Sequence, residues 1–500
     1  MKRICCALLT LILLLTACSS NSTLENSSLE LSDQPSVETY EPQNTDIPLE
    51  NNNNDGKYSL SFSDDFHFLL NMFNASHEAI PTYSGDYESY IVEHEEPDFY
   101  FSKYNYAPEG RQVPNDVVLT LEQLTEDMEV FFKGLRTHYG RYEYFGGDEA
   151  FRAAIDAVIA DCAALDVITC GDLRNSLEMH FAFVKDAHFN MGSRLTNKLQ
   201  IPFFFREVAF KKSEIGYQTI DGKIVESVDG YDDLDNLFRL SLTIDGELVY
   251  YPIILQEAVY KDVMTTAISC NTLLTVHYAD GSIDILTAPD YHSDTDTTGK
   301  APVSTSERLG IPLVQINTFD YDAGGNQFLN TSVNYKDDCI LIVDFRQCRG
   351  GNIDIVKEWF QNYVGENVSP NSLTYVVRGG DRFRTFLGTE ETFVSSDSIL
   401  IVLTSKLSAS ASETFIDYAY NLENSLIIGE NSFGANIAST GDFVLPNSGL
   451  YMRFGEALTF HPDGDGFEEF RGYLPDIWVP AAEAEEAVIN FIKSNTKESK

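Results

Sequence analysis

Hydrophobic residues recur along this chain with two different periods, and the change of period divides the sequence. Between residues 119 and 139 they fall at intervals of three or four, which is the spacing of one face of a helix. The repeating positions are Leu121, Leu124, Met128, Phe131, Phe132 and Leu135. Segments 148–164 and 171–185 continue the pattern. Residues 116–198 are therefore predicted to form a helical subdomain that runs into Lys185-Asp186-Ala187-His188.

Between residues 301 and 492 the pattern becomes short, continuously apolar runs that alternate with amphipathic segments. The runs are IPLVQIN (311–317), CILIVDF (339–345), LTYVV (373–377), ILIVLT (399–404) and SLIIGE (425–430). Helices are predicted between them, one containing Trp359 and Phe360 and another containing Phe415, Ala419 and Leu422. Apolar strands joined through helices indicate an α/β layer whose sheet is covered on both faces. Sites in such layers assemble at the carboxyl ends of the strands.

The remaining folded sequence has weaker patterns. Residues 58–115 are rich in Tyr, Phe and acidic residues without a clear period, and are interpreted as a small accessory region. Residues 199–300 contain short β-like runs separated by Asp-Gly turns and are predicted to be β-rich. Within them, GKIVESVDGYDDLDNLF (222–238) weakly resembles a PDZ-like module. A generic β-rich insertion fits the same pattern.

The chain begins with MKRICCALLTLILLLTAC, two basic residues and an apolar stretch that is too short to span a bilayer stably. Residues 1–17 are therefore predicted to be a secretory signal. This segment resembles a bacterial lipoprotein signal, which implies that Cys18 becomes the lipidated first residue and anchors the protein outside the cytoplasm at the bacterial cell membrane. An ordinary signal peptide with an incidental cysteine is the alternative. Residues 18–57 are polar and are predicted to be a flexible tether.

Charge and cysteine content bear on two classes of function, nucleic-acid binding and metal binding. The 500-residue chain has 34 Lys and Arg against 77 Asp and Glu, a net charge of −43 without basic clusters. Nucleic acid is therefore not an expected partner, because phosphate contacts need such clusters. The five cysteines of the folded part match no metal-site spacing. Cys162 and Cys170 could pair across a helix-loop junction, but buried thiols are the simpler interpretation.

Two loops that follow apolar strands carry candidate chemistry. After CILIVDF, Gly350 and Gly351 would bring backbone N–H groups close to a ligand, although a tight turn also explains them. After ILIVLT, SASASE (408–413) enters a predicted helix. A serine there would lie at the positive end of the helix dipole, where an oxyanion is stabilised. Ser410 or Ser412 could instead be a simple N-cap. Together the loops predict a serine nucleophile that faces an oxyanion pocket.

With these loops the sequence resembles the tail-specific, or carboxyl-terminal processing, protease family. The resemblance runs from about Leu119 to Val479, and its motifs follow in the family's order: Asp186-Ala187-His188, Asp344-Phe345-Arg346 with Gly350-Gly351, SASASE, Ile428-Gly429-Glu430 to Phe433-Gly434, and Arg471-Gly472-Tyr473-Leu474-Pro475-Asp476. It implies a ClpP/crotonase-like catalytic domain with Ser410 as nucleophile. Oxyanion donors would be backbone groups of Ala411, Gly350 and Gly351. The substrate would be a peptide or protein, and no metal or organic cofactor is implied.

The general base departs from the family's common pattern. Many members carry a lysine in a Gly-Lys-Gly-like turn, but this chain has Phe433-Gly434-Ala435-Asn436 there, and Lys406 lies too close along the loop to be a comfortable partner. The tricorn-like branch uses a histidine from the helical subdomain, which points to His188. His461, in a His-Pro-Asp-Gly turn, is the competitor. A histidine base predicts an ascending limb of activity near its ordinary pKa of about 6.5.

A third group should orient the base. The resemblance assigns this role to Glu469, three residues before Gly472, with Glu468 as the alternative. The serine that relays the contact in the tricorn-like branch is Ala187 here, so Glu469 would reach His188 directly or through water. The sequence predicts a membrane-anchored, extracytoplasmic serine peptidase. The alternative is a catalytically inactive peptide- or protein-binding lipoprotein on the same fold.

Overall fold

The structure is a computed structural model that describes residues 61–90, 114–191, 198–293, 300–365, 368–378, 381–385, 393–436 and 440–497. The predicted signal, Cys18 and the predicted tether lie outside the described residues. Among the described residues, no helix combines the length and the apolar character needed to cross a bilayer.

The helices and strands are numbered in chain order. The helices are α1 Asp64–Glu78, α2 Leu121–His138, α3 Gly147–Ala163, α4 Cys170–His180, α5 Leu234–Leu237, α6 Tyr260–Thr265, α7 Asn326–Tyr335, α8 Ile353–Val364, α9 Ala411–Ala419 and α10 Ala484–Asn495. The strands are β1 Ser61–Phe62, β2 Val118–Leu119, β3 Ile168–Thr169, β4 Asn190–Met191, β5 Lys198–Phe204, β6 Phe210–Ser213, β7 Gly216–Thr219, β8 Val225–Val228, β9 Phe238–Leu242, β10 Leu248–Val259, β11 Leu274–Tyr278, β12 Ile283–Leu286, β13 Val303–Arg308, β14 Ile311–Ile316, β15 Ile340–Asp344, β16 Leu373–Arg378, β17 Asp381–Thr385, β18 Ile399–Thr404, β19 Ser425–Gly429, β20 Thr440–Val444, β21 Tyr451–Gly455, β22 Ala457–Phe460, β23 Ile477–Trp478 and β24 Thr496–Lys497.

One large mixed sheet forms the centre of the molecule. Its strand order is β13-β14-β15-β18-β19-β23-β9-β10-β6-β7, and β5 also pairs with β10. The strands from β14 to β23 run parallel to one another, whereas β9, β10, β6 and β7 pair in antiparallel fashion. The sheet crosses the boundary that the sequence analysis drew at residue 300. The parallel strands end at one edge, where the loops with candidate chemistry begin.

Four of the predicted apolar runs form β14, β15, β18 and β19 of this sheet, and the predicted mixed α/β fold is confirmed. The prediction for LTYVV is wrong, because it forms β16, which pairs in antiparallel fashion with β17 and β22 in a separate sheet. Strands β15 and β18 are buried along their whole length. Alternate side chains point to opposite faces of a strand. Val343 therefore packs in a cluster with Trp359, and Ile342 packs on the other face with Phe66. Phe66 belongs to α1, so a helix from the predicted accessory region covers one face of the central sheet.

The helices α2, α3 and α4 of the predicted helical subdomain share one hydrophobic core, to which Leu450, Met452 and Phe454 of the later β20–β21 segment also contribute. Leu121 is 45% exposed, because it is the first residue of α2 and lies outside the buried stripe. Helix α4 ends at His180, earlier than the sequence pattern suggested, and turns lead from there to His188. The next strand, β4, pairs with β21, which holds the end of this subdomain against the α/β region of residues 301–492. Cys162 and Cys170 are buried here and form no disulfide.

Candidate active site

Ser410 lies at the junction between the loop that follows β18 and the first residue of α9. Its backbone angles, φ 55° and ψ −116°, are rare for a residue with a side chain. Such strain persists only where the surrounding structure fixes the residue firmly, and it is concentrated at functional sites. The side chain is 7% exposed, so a small part of it remains open to solvent.

The other two serines of the SASASE loop have structural contacts. The Oγ of Ser408 donates to the carbonyl oxygen of Phe345 at 2.9 Å, and the Oγ of Ser412 donates to the carbonyl oxygen of Cys348 at 3.0 Å. Both side chains are fully buried. These contacts fasten the SASASE loop to the loop that follows β15. Ser410 is therefore the serine of this group that stands at the helix start with a partly open side chain.

Gly350 packs directly against Ser410. A Cβ atom on Gly350 would lie 2.6 Å from the Cβ of Ser410 and 3.0 Å from the backbone nitrogen of Ala411. Its φ of 102° also favours glycine. The N–H of Ala411 belongs to the first residue of α9, and first-turn amides have no partner within their own helix. The backbone of Gly350 and the amide of Ala411 therefore meet beside the serine.

Gly351 is held from the other side by Phe319. The N–H of Phe319 donates to the carbonyl oxygen of Gly350 at 3.0 Å, and the N–H of Asn352 donates to that of Phe319 at 2.8 Å. In such a parallel bridge the N–H of Gly351 points away from Phe319. The structure thus brings Ser410, Gly350, Gly351 and Ala411 together, as the two loops suggested.

Glu413 is a residue whose role the sequence analysis missed. Its carboxylate is fully buried and accepts four hydrogen bonds: from the N–H of Ser410 (3.1 Å), the Oγ of Ser432 (2.6 Å), the N–H of Gly434 (2.6 Å) and the N–H of Ala435 (2.7 Å). Burial raises the pKa of Glu413, and these hydrogen bonds oppose the change. The carboxylate fixes the backbone of Ser410 and occupies its N–H. The spacing Ser-x-x-Glu at a helix start is the sequence signal for such a contact.

Lys406 is fully buried and binds backbone carbonyl groups. Its Nζ donates to the carbonyl oxygens of Ser432 (2.6 Å), Phe433 (2.9 Å), Phe470 (3.0 Å) and Arg471 (2.8 Å). Burial lowers the pKa of this amine well below its usual range. Because its protons are directed at these four oxygens, Lys406 joins two loops and is poorly placed to act on Ser410.

His188 lies in the turn between α4 and β4 and is half-buried. Its backbone N–H donates to Oδ1 of Asp186 at 2.8 Å, and Oδ2 of Asp186 accepts from the hydroxyl of Tyr139 at 2.8 Å. Within the described residues, Nδ1 of the imidazole is buried without a hydrogen-bond partner. Burial lowers the pKa of His188 to about 4; Asp186 opposes this change, and Arg141 and Arg453 add to it.

Glu469 contacts the peptide group that precedes His188. Its Oε1 accepts from the N–H of Ala187 at 2.8 Å, and its Oε2 accepts from Arg141 at 3.4 Å. Among the described residues Glu469 makes no direct hydrogen bond to the imidazole of His188 and binds the adjacent backbone instead; a contact through water stays a prediction. Burial raises the pKa of Glu469 to about 8, although Arg141 opposes the change. The contact with Arg141 has no signal in the sequence.

The competing residues lie in contacts of their own. Nδ1 of His461 is 2.8 Å from Oδ2 of Asp465, and its ring stacks on Phe467 with centroids 4.1 Å apart. His461 is therefore held within its own His-Pro-Asp-Gly turn. Glu468 is 57% exposed and forms an ion pair with Arg471 at 2.7 Å.

The arrangement supplies most parts of an acyl-transfer site. The backbone of the Gly350-Gly351 turn and the amide of Ala411 adjoin Ser410. Asp186 and Glu469 bind the turn that carries His188. No hydrogen bond joins Ser410 to His188 among the described residues. The catalytic roles of Ser410, His188 and Glu469 and the oxyanion roles of Gly350, Gly351 and Ala411 stay predictions. Within the described ranges, no three His, Cys, Asp or Glu side chains converge as metal ligands.

Comparison with known proteins gives one family match. Residues 310–479 match the model of peptidase family S41. Similar solved structures include a photosystem II D1 C-terminal processing protease, with 14% identity over 76% of this chain and 99% of that chain and a TM-score of 0.36. A putative peptidase from Parabacteroides merdae ATCC 43184 has 15% identity over 74% of this chain and 96% of its own, with a TM-score of 0.37. The tricorn protease has 15% identity over 75% of this chain and 37% of its own, with a TM-score of 0.37. No curated protein matches the sequence.

Proposed function

We propose that this chain, whose residues 310–479 match the model of peptidase family S41, hydrolyses peptide bonds through an acyl-enzyme on Ser410. The observation that carries the proposal is the strained backbone of Ser410 at the start of α9, where it packs against Gly350 and lies next to the first backbone amide of the helix, that of Ala411. Peptides or proteins are the substrates.

In this mechanism the imidazole of His188 removes the proton from Ser410 as the Oγ attacks the carbonyl carbon of the scissile bond. The oxygen of that carbonyl gains negative charge, which the amides of Gly350, Gly351 and Ala411 stabilise. The proton passes from His188 to the leaving amine when the C–N bond breaks. Water then attacks the carbonyl carbon of the ester and gives a proton to His188. When the bond from that carbon to the Oγ breaks, His188 passes the proton to the Oγ and the acid is released.

Positioning of His188 supports its role as the base. Asp186 and Glu469 bind the two successive backbone N–H groups of Ala187 and His188, which fixes the turn that carries the imidazole. Catalytic hydrogen bonds are often long or misaligned without substrate and tighten when it binds. The lack of a bond between Ser410 and His188 is therefore compatible with this mechanism.

Covalent labelling tests the nucleophile. A serine-directed phosphonate should modify the wild-type protein at Ser410 and leave Ser410→Ala unmodified, because the reagent needs an activated hydroxyl beside an oxyanion pocket. Intact-mass and peptide mass spectrometry would locate the adduct.

Single substitutions Ser408→Ala and Ser412→Ala are the controls, since their hydroxyls donate to carbonyl groups in the loop. Folded Ser408→Ala and Ser412→Ala should still be labelled. An adduct on Ser408 or Ser412 would show that the nucleophile is misassigned. A folded wild type that resists the reagent and hydrolyses no peptide would favour the inactive binding lipoprotein.

We also propose that the mature protein is anchored to the outer side of the bacterial cell membrane through lipidated Cys18. The support is the short apolar stretch that ends in Leu15-Thr16-Ala17-Cys18, followed by a polar tether. In cells given a labelled fatty acid, Cys18→Ala should lose the label and the partition into detergent that the wild type shows. Cys6→Ala, which removes a cysteine inside the predicted signal, is the matched control and should keep both. Equal solubility of mature wild type and Cys18→Ala would contradict the anchor.

A further inference from the structure

Arg349 directly precedes the glycine turn that packs against Ser410. Its Nη1 donates to the hydroxyl of Tyr260 at 3.2 Å, and its Nη2 lies 3.4 Å from the sulfur of Met264. Both partners belong to α6. The ring of Tyr260 stands edge-on to Phe433 with centroids 5.5 Å apart, and the N–H of Phe433 donates to the carbonyl oxygen of Ser408 at 2.8 Å. A chain of contacts through Tyr260 and Phe433 therefore connects the guanidinium to the SASASE loop.

The contacts of Arg349 within the described residues are with neutral groups. Among the described residues no carboxylate forms an ion pair with it, and its Nε is buried without a hydrogen-bond partner. Arg346, three residues earlier, pairs with Asp344 at 2.7 Å and with Glu485 at 3.3 Å. The chain as a whole has a large excess of carboxylates. A half-buried guanidinium is costly when no described carboxylate balances its charge. Nη1 and Nη2 each carry a second N–H beyond the contacts with Tyr260 and Met264, and these two N–H groups are suited to an anion from outside the chain.

We propose that Arg349 binds a carboxylate of the substrate beside the scissile bond and so makes an acidic peptide the preferred substrate. Arginine presents a planar set of N–H donors that matches the two oxygens of a carboxylate. Because residue 349 is next to the glycine turn, the bound carboxylate lies on a residue close to the reacting carbonyl or at a nearby chain end. This specificity rests on the proposed function, in which Ser410 is the nucleophile.

Matched peptides test the inference. One set is amidated at its carboxyl end and carries glutamate or glutamine at successive positions around the cleavage site. A second set is neutral and has a free or an amidated carboxyl end. For the wild type we expect kcat/KM to favour the carboxylate by about tenfold to a hundredfold at one position. Preference in the first set identifies an acidic side chain as the partner, and preference in the second identifies a chain end.

In Arg349→Gln the ratio of kcat/KM for the carboxylate peptide to kcat/KM for its neutral match should fall towards one. Arg349→Lys should keep part of the preference, because lysine retains the charge but not the paired donors. Arg308→Gln is the matched control. It removes the same charge from an arginine that is 57% exposed and pairs with Glu485, and it should retain the full preference. A wild type without preference, or an Arg349→Gln that keeps it, would overturn the inference.

A binding measurement separates this inference from the proposed function. Fluorescently labelled peptides of the same sets are titrated with Ser410→Ala and with Ser410→Ala/Arg349→Gln, and anisotropy gives the Kd. Tighter binding of the carboxylate peptide to Ser410→Ala alone supports the role of Arg349, even if the wild type hydrolyses nothing. Equal Kd values for all peptides and both proteins would refute it, even if the wild type is an active peptidase.

Discussion

Replacement of His188 by alanine is expected to lower kcat/KM for peptide hydrolysis by about four to six orders of magnitude, nearly as far as Ser410→Ala. A serine hydroxyl is a poor nucleophile until a neighbouring base takes its proton. Ala435 stands where the resemblance would place a lysine base, and Lys406 is bound to four carbonyl groups. His188 is thus the base that the proposal requires. Steady-state kinetics with a fluorogenic peptide would measure the loss.

The double variant His188→Ala/Ser410→Ala should be scarcely worse than either single variant, because the pair acts as a unit. Glu469→Gln should lose less, since a glutamine oxygen can still accept from the N–H of Ala187. His461→Ala should keep activity near the wild-type value. Purified, folded His188→Ala with activity within about tenfold of wild type would contradict the assignment.

Burial of His188 changes the expected pH profile. A general base works in its neutral form, so kcat/KM rises as pH increases through the pKa of the free enzyme. The sequence alone placed this limb near pH 6.5, but burial lowers the pKa of His188 to about 4. The ascending limb should therefore lie near pH 4 and leave activity nearly flat between about pH 5.5 and 7. The profile belongs to His188 only if the limb is absent from the residual activity of His188→Ala.

Substitution of Gly350 by alanine is expected to lower kcat by about a hundredfold to a thousandfold, the range typical of a displaced oxyanion donor. The new Cβ would lie 2.6 Å from the Cβ of Ser410 and 2.8 Å from the carbonyl oxygen of Ala409, so the serine or the turn must move. The φ of 102° adds strain. Labelling by the phosphonate should fall in parallel with hydrolysis.

Gly281→Ala separates the effect of backbone strain from the effect of a Cβ that displaces the serine. Gly281 has a φ of 82° in the turn between β11 and β12, and a Cβ there would meet no atom within 4 Å. This variant should lose about 1–2 kcal/mol of unfolding free energy from backbone strain alone and keep full kcat. If Gly350→Ala and Gly281→Ala lose stability equally and both keep kcat, the proposed role of the Gly350 turn is wrong.

Much of the central fold could be predicted because its strands are buried on both faces. Runs such as CILIVDF and ILIVLT are apolar almost throughout, which is typical of a strand buried on both faces. Helix α8 has its apolar residues at regular helical spacing. Helix ends were less predictable. Leu422 was predicted to belong to the helix but lies beyond α9, which ends at Ala419. The pattern was misleading because Leu422 still packs in the core after the helix has ended.

The candidate site was only partly readable from sequence. Ser410, Gly350 and Ala411 lie in loops that follow neighbouring parallel strands, so their proximity follows from the topology. The contact of Arg141 with Glu469 joins residues from two subdomains and depends on how those subdomains pack. The carbonyl cage around Lys406 depends on backbone directions, which side-chain patterns do not encode.

The pairing of β4 with β21 has a consequence for the newly made chain. Met191 is next to Met452 across this ladder, so the turn that carries His188 gains its final support only when a much later segment has been added. Contacts between such distant segments form late, because the intervening chain must first be ordered. An unfinished chain therefore lacks the strand that fixes the end of the turn with His188. Under the proposed function, an incomplete molecule is protected from cutting itself or its neighbours until synthesis and folding have ended.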